Sequence, residues 1–425
     1  AWAGGWFVVS ASIVGLSRGR LRAMPAEDEQ VAADADEAFP PPEPGSLATD
    51  GRRRFGRGWR IAISVVVVLA VAVFVASEWS VPYYSITPGH AFNIGTLISV
   101  PRSKSHLHKG AIVLTDVYLD HLSALGYLYY EIRDSSEIVG SSDVTGGQSR
   151  STYDEEGVVD MSNARQAATL VALHTLGYPT KAVANGSVVY AVEPGTTIAE
   201  APSTGSVIVA TDGTPTLTAD ELVHAIGSHA TGAYVPLTFH ALGKTKTETR
   251  SYRLGVLVRS SKKTGSVLEC ERFGDHELTP LLAHGKEQAC LPFGVVASYR
   301  NVGVPFKVAL SSGGIVGPSA GLSFTLGLIE KLDRADLTNG MRVAATGTMS
   351  NDGAVGPVGG VAEKTRAVRA AGADVFLVPP SGLKAARANA GTHLKVIAVS
   401  SIGQAVSALE RLGGRLEPAD HGFQS

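Results

Sequence analysis

Ser319 stands in Gly317-Pro318-Ser319-Ala320-Gly321, and Lys364 follows in Gly359-Gly360-Val361-Ala362-Glu363-Lys364. A hydroxyl at the mouth of a helix and an amine in an apolar setting together make a nucleophile without histidine or metal. Pro318 favours a helix entry, because it fixes φ and its missing N–H costs nothing in the first turn. Ser319 is then set where free backbone N–H groups and the positive end of the helix dipole converge. Such groups stabilise an oxyanion, and Gly317 and Ala320 are the candidates in this loop. A serine in this position also serves as an ordinary N-cap, so the element alone leaves both readings open. On the second element, helical geometry of about 3.6 residues per turn puts Val361, Lys364, Val368 and Ala371 on one face. Glu363, Arg366 and Arg369 fall away from it. Apolar neighbours favour the neutral amine. To act as a base at ordinary pH, its pKa must fall from about 10.4 to about 7–8. The bland alternative is a lysine that snorkels to water.

The elements around these residues read as alternating strands and helices. Phe306 to Leu310 is expected as a strand, Ser311 to Gly317 as a flexible loop, and the apolar run from Ser319 to Ile329 as a buried helix. Met341 to Met349 is expected as a strand, with Asn351-Asp352-Gly353 as the turn after it. Val361 to Ala371 is a helix stopped by Gly372. Asp374 to Pro379 and Leu394 to Val399 are strands, and Ile402 to Leu412 is a closing helix. Upstream, Ala111 to Tyr118 reads as a strand. Met161 to Leu176 reads as a helix, capped by Asp160 or Ser162 and ended by Gly177.

GPSAG followed by ATGTMSNDGAVGPVGGVAEKTRAVRAAGADVFLVP resembles the proteolytic domain of the Lon protease family, peptidases with a Ser-Lys dyad. The likeness runs from about Phe306 to Leu412 with both motifs in family order. It implies Ser319 as nucleophile, Lys364 as general base, and Thr346 as the hydroxyl that helps hold the lysine amine. The chain departs from the family pattern at Val316, where many members carry an acidic residue.

The 425 residues suggest two or three domains, and the net charge of -2 offers no footprint for nucleic acid. The run Ile61 to Ser77 carries no charge, and Trp59 and Trp79 flank it. This approaches the roughly 20 residues of a membrane helix with an interfacial aromatic belt. A core helix or a signal peptide are the alternatives. Arg52, Arg53, Arg54, Arg57 and Arg60 precede the run and Glu78 follows it. The positive-inside rule then puts the N-terminus in the cytoplasm and the rest outside the cell membrane. The chain opens on Ala1, which reads either as translated upstream sequence over residues 1–23, with Met24 as a natural start, or as a fragment. The stretch from Pro25 to Asp50 is acidic and rich in Pro and Ala, which reads as a disordered cytoplasmic tail. Cys270 and Cys290 bracket a polar segment containing Asp275 and His276. Beyond the membrane a disulfide is the natural reading, with two unpaired thiols as the alternative.

VVYAVEPGTTIAEA, GSVIVATDGTP and the capped helix TADELVHAI, within about Asn185 to Leu254, resemble a PDZ domain. That likeness implies binding of extended peptides by strand addition beside a helix. The family's carboxylate-binding loop is not evident there. The expected fold is therefore α+β: one N-terminal transmembrane helix, then a Lon-type proteolytic domain interrupted by an inserted PDZ-like, β-rich domain. The expected segments are tail 1–58, span 59–79, first protease part 80–180, module 181–255, polar cysteine insert 256–292, catalytic part 293–415 and tail 416–425. This layout resembles the membrane-anchored bacterial PDZ-containing Lon-like peptidases. No Gly-x-x-x-x-Gly-Lys-Ser/Thr occurs, so hydrolysis without ATP is expected. The substrates are expected to be unfolded or flexible proteins or peptides. No cofactor, metal or nucleic acid is expected, and a homo-oligomer is compatible with the layout. Two rivals remain. One is a membrane-tethered PDZ scaffold with an inactive protease domain. The other is an α/β-hydrolase-type esterase using Ser319, Asp374 and His393.

Overall fold

The computed structural model describes residues 57–417, except 134–135, 147, 193–196, 242–243, 263–264, 272–281 and 284–285. The expected tail up to residue 56 and the Asp275-His276 segment lie outside the described residues. The chain separates into residues 1–63 and 64–425. Of the first unit, only the start of the helix Arg57–Glu78 is described. Gly58–Glu78, with a mean hydropathy of 2.6, is long and apolar enough to cross a membrane.

In the second unit a six-stranded sheet lies beside the Ser319 and Lys364 segments. Its order is Lys395–Ala398, Val375–Val378, Arg342–Ala345, Ala111–Ser123, Ser80–Asn93 and Glu137–Gly140. The first four strands are parallel, and the last two join antiparallel. Val and Ala fill the central Arg342–Ala345 strand, and Val343 to Ala345 are buried, as a strand covered on both faces requires. The helix Gly321–Leu332 is buried from Gly321 through Glu330. A long helix, Arg150–Thr175, lies against it. One core unites Ile112 and Leu114, Ala168 and Val171, Leu322 and Phe324, and Val343 and Leu377. Residues on both sides of the β-rich module thus build a single body.

The module has its own core of Val189, Ile208, Leu222, Ile226, Leu237, Tyr252 and Phe293. Its sheet runs Gly294–Val302, Lys181–Ala191, Val207–Thr211, Tyr234–His240 and Thr247–Arg253. The helix Ala219–Gly227 carries a capping box from Thr218 and Glu221.

Several boundaries differ from the sequence expectation. Gly294–Val302, placed in the catalytic part, pairs instead with Lys181–Ala191, and Lys181 faces Val302. The module's two chain ends are therefore neighbours, the arrangement that lets an insert leave its host fold closed. The cysteine segment is an arm of the module: Gly255–Lys262 pairs with Gly265–Glu271 and with Ala289–Cys290. The long helix begins at Arg150, and Ser149 caps it by accepting the Thr152 N–H; neither Asp160 nor Ser162 is the cap. Its polar first half lacks apolar spacing but still buries Thr152, Glu156 and Val159, Val159 packing with Val188 and Val207 of the module. The Phe306 to Leu310 strand shrinks to Ala309–Leu310, paired with Ile98–Ser99.

Candidate active site

Ser319 lies in a short 3-10 turn, Pro318–Ala320, at the entry to the buried helix. No side-chain cap bond is made there or at the start of Gly321–Leu332, so the hydroxyl is not an N-cap. The side chain is neither buried nor fully exposed, while Ala320 beside it is buried. Gly317 has φ 89°, a conformation costly for any residue with a Cβ. Its N–H donates to the Gly157 carbonyl of the long helix at 2.7 Å. That commitment removes the Gly317 amide from the oxyanion candidates. The Ser319 carbonyl accepts the Gly347 N–H at 3.0 Å and the Thr346 hydroxyl at 3.3 Å. Leu322 N–H returns a bond to the Gly347 carbonyl at 3.0 Å. Gly321 leaves no room for a Cβ, which would sit 2.7 Å from the Met349 nitrogen. The serine turn is thereby stitched to the segment that follows the Arg342–Ala345 strand. The expected continuous strand Met341 to Met349 is broken there into Arg342–Ala345 and Thr348–Met349.

Lys364 sits in the helix Val361–Ala370, one turn in from Gly360, which caps the helix in the left-handed region. Its side chain is 3% exposed. Burial pushes the amine down from 10.5 to about 8, and the negative charge of Asp116 opposes that shift. Asp116 is fixed by the His90 N–H at 2.5 Å. Among the described residues no hydrogen bond joins the Lys364 amine to Ser319 or to Thr346. The Thr346 hydroxyl donates to the serine backbone carbonyl.

Glu363 also departs from expectation. The helical projection turned it away from the core, yet it is 1% exposed. Desolvation raises its pKa, and Glu137 on the edge strand adds to the rise. Arg366 reaches one carboxylate oxygen at 3.4 Å, and the other has no partner. The projection treated this helix as one-sided.

The rival triad is not assembled. Asp374 accepts the Arg342 N–H at 2.8 Å, at the start of the Arg342–Ala345 strand. Ser319 is held past the end of that strand. At about 3.3 Å per residue the two ends are roughly 13 Å apart. His393 precedes Lys395–Ala398 at the same far end as Asp374, whose carbonyl accepts the Lys395 N–H.

Cys270 and Cys290 are joined, with Cα atoms 5.9 Å apart. Cys290 also lines a groove of about 730 Å³ between the helix Ala219–Gly227 and the start of the Gly294–Val302 strand. Val223, His224 and Ile226 form one wall, and Leu291, Phe293 and Val295 another. Gly294–Val302 is the outermost strand of its sheet. Sequence reasoning missed this wall. Pro292 and Gly294 before the run Val295-Val296-Ala297 were the available strand-start signal, but the run lies far downstream of the rest of the module. As for metals, His108, Glu330 and Asp336 bring donor atoms within 4.8 Å of one another. Both Glu330 oxygens are already bonded, one by the Thr338 hydroxyl and one by the Leu337 N–H. These bonds close the turn after the buried helix.

No curated protein matches the chain. Among solved structures, the PDZ domain of an SdrC-like protein from Listeria monocytogenes is similar at 22% identity and a TM-score of 0.16, covering 21% of this chain and 92% of that one. Residues 301–410 match the Lon protease (S16) C-terminal proteolytic domain.

Proposed function

We propose that the protein is a membrane-anchored, ATP-independent endopeptidase that works through Ser319 and Lys364 on the extracytoplasmic face. The observation that carries the reading is the burial of Lys364 at 3% exposure, with its amine lowered to about 8. A neutral amine takes the proton of the Ser319 hydroxyl as the oxygen adds to the scissile carbonyl. The resulting ammonium returns that proton to the leaving amine, and water then releases the acyl group by the same route. Thr346 is a positioning residue that fixes the serine carbonyl. The N–H groups at the entry of the buried helix, Ala320 among them, face the developing oxyanion. Residues 80–180 and 303–415 form the protease body in this reading and 181–302 the module, supported by the pairing of Lys181–Ala191 with Gly294–Val302.

The groove beside Ala219–Gly227 accepts an extended peptide as one more strand on Gly294–Val302. Its apolar walls select an apolar side chain, and the bound chain is a substrate or a gate for one. The span Gly58–Glu78, with arginines before it, holds the N-terminus in the cytoplasm.

The test is a fluorophosphonate label and a peptide-cleavage assay on the full chain. Labelling should reach wild type and vanish in Ser319→Ala. Lys364→Ala should lose cleavage while remaining folded. Unchanged cleavage in either variant removes the dyad, and labelling absent from folded wild type favours the inactive scaffold.

A further inference from the structure

The helix Ala124–Arg133 bridges the strands Ala111–Ser123 and Glu137–Gly140. Leu125, Leu128, Tyr129 and Ile132 recur at the spacing of one helical face. All four are exposed, Leu128 at 55% and Ile132 at 75%. Tyr127 and Glu131 occupy the other side, where the Tyr127 ring meets Tyr83 at 4.9 Å. A helix that presents Leu, Tyr and Ile to the outside along one whole face inverts the usual surface pattern.

Its place in the chain says what covers it. The Ala124 N–H donates to the carbonyl of Trp79 at 2.8 Å, and Ser123 faces Ser80 across the sheet. Trp79 is the residue that closes the apolar span, and it is itself 68% exposed. The helix therefore begins one hydrogen bond from the point where the chain leaves the span. We infer that Ala124–Arg133 lies in the interfacial layer of the bilayer, with Leu125, Leu128 and Ile132 in the acyl boundary. It is then a second membrane contact that seats the protease body on the lipid surface. Short helices with one apolar face and an aromatic flank bind that layer in the plane of the membrane. The inference rests on the membrane-anchor reading of Gly58–Glu78.

Both native cysteines are paired, so a single introduced cysteine can be labelled alone. The full chain carrying Leu128→Cys, Ile132→Cys, Glu131→Cys or Phe74→Cys is labelled with bimane and placed in phosphatidylcholine nanodiscs. Doxyl-lipid and aqueous iodide are the two quenchers. Positions 128 and 132 should be quenched by lipid several-fold more than position 131, and position 131 should respond to iodide. If 128 responds to iodide like 131 while 74 is lipid-quenched, the helix stands off the bilayer and the inference fails with the anchor intact. Shielding of 128 from both quenchers means another protein surface covers it, which also overturns the inference. Absence of lipid quenching at 74 removes the anchor itself, and the inference falls with it.

Discussion

The Gly157 carbonyl accepts the N–H of Gly317 at 2.7 Å, tying the long helix to the loop two residues before Ser319. The same helix meets the module on its other side, where Tyr190 donates to Asp160 at 3.2 Å and Thr152 donates to the Val192 carbonyl at 3.3 Å. One element therefore touches both the serine loop and the end of the module's Lys181–Ala191 strand. Glycine inside a helix costs about 1 kcal/mol relative to alanine, and here it permits close approach. A Cβ at Gly157 would stand 3.3 Å from the Val316 Cβ and 3.5 Å from the Gly317 nitrogen. Gly157→Ala should lower kcat by roughly tenfold with little change in thermal unfolding, because the helix gains propensity while the loop is displaced. Steady-state kinetics beside a melting curve check it. Unchanged kcat would mean the loop finds its geometry without this close approach.

Activity should rise with pH through the lysine titration. The neutral amine is the base, and its pKa lies near 8. Below that value the protonated form predominates, and kcat/KM should fall about tenfold per pH unit. A profile for kcat/KM on an unfolded substrate, with the fold monitored at each pH, reads the limb directly. A flat rate from pH 6 to 9 would exclude Lys364 as the base.

The same burial destabilises the fold near neutral pH. The folded chain titrates this amine near 8 and the unfolded chain near 10.5. Below about 8 both states hold the proton, and the folded state carries the full cost of a buried cation. Between the two values only the unfolded state holds it, so stability rises with pH across that window. The cost at pH 7 is on the order of 3 kcal/mol. Lys364→Met should therefore abolish cleavage yet raise Tm at pH 7, with the gain shrinking toward pH 10. A lower Tm for the variant would show that the attraction between the amine and Asp116, with the packing of the lysine stem, outweighs the desolvation.

Thr346 is fully buried, and its hydroxyl is directed at the Ser319 carbonyl. Thr346→Val removes that donor at nearly constant volume and should lower kcat several-fold without altering KM. Thr346→Ser should restore most of it, because the hydroxyl and not the methyl makes the bond. If its hydroxyl instead held the amine, Thr346→Val would also shift the pH limb. An unshifted limb is the expected result.

The chemistry was more legible than the architecture around it. GPSAG and GGVAEK are short, and each carries its own physical signal: proline and glycine at a helix mouth, and a lysine at apolar spacing. The apolar run after Ser319 marked its helix as buried. By contrast, the strand Gly294–Val302 closes a sheet whose other strands lie about a hundred residues earlier, and no local pattern reports such pairing. Glu363 misled because a helix projection shows relative faces, while the cover from both sides is a tertiary fact. Ser149 escaped notice because the polar turns it caps are buried by the module and not by their own apolar stripe.

The disulfide offers a last test, since it binds the wall of the groove beside Ala219–Gly227. Cys290 lines the groove, and Cys270 anchors it to the strand Gly265–Glu271. Closing a loop with a sequence separation of 20 removes chain entropy from the unfolded state, an effect of about 3 kcal/mol in the entropy model. Cys270→Ser with Cys290→Ser should lower the stability of the module by about that amount. The protease body has its own core, separate from the module's. Cleavage of a short peptide that does not need the groove should therefore survive. Cleavage of long unfolded substrates should weaken, mainly through KM, as the wall formed by Leu291 and Phe293 loses its tether. Kinetics on both substrate classes, before and after reduction of the wild type, separate the two effects. An equal loss on short and long substrates would show that the tether supports the catalytic body and not the groove.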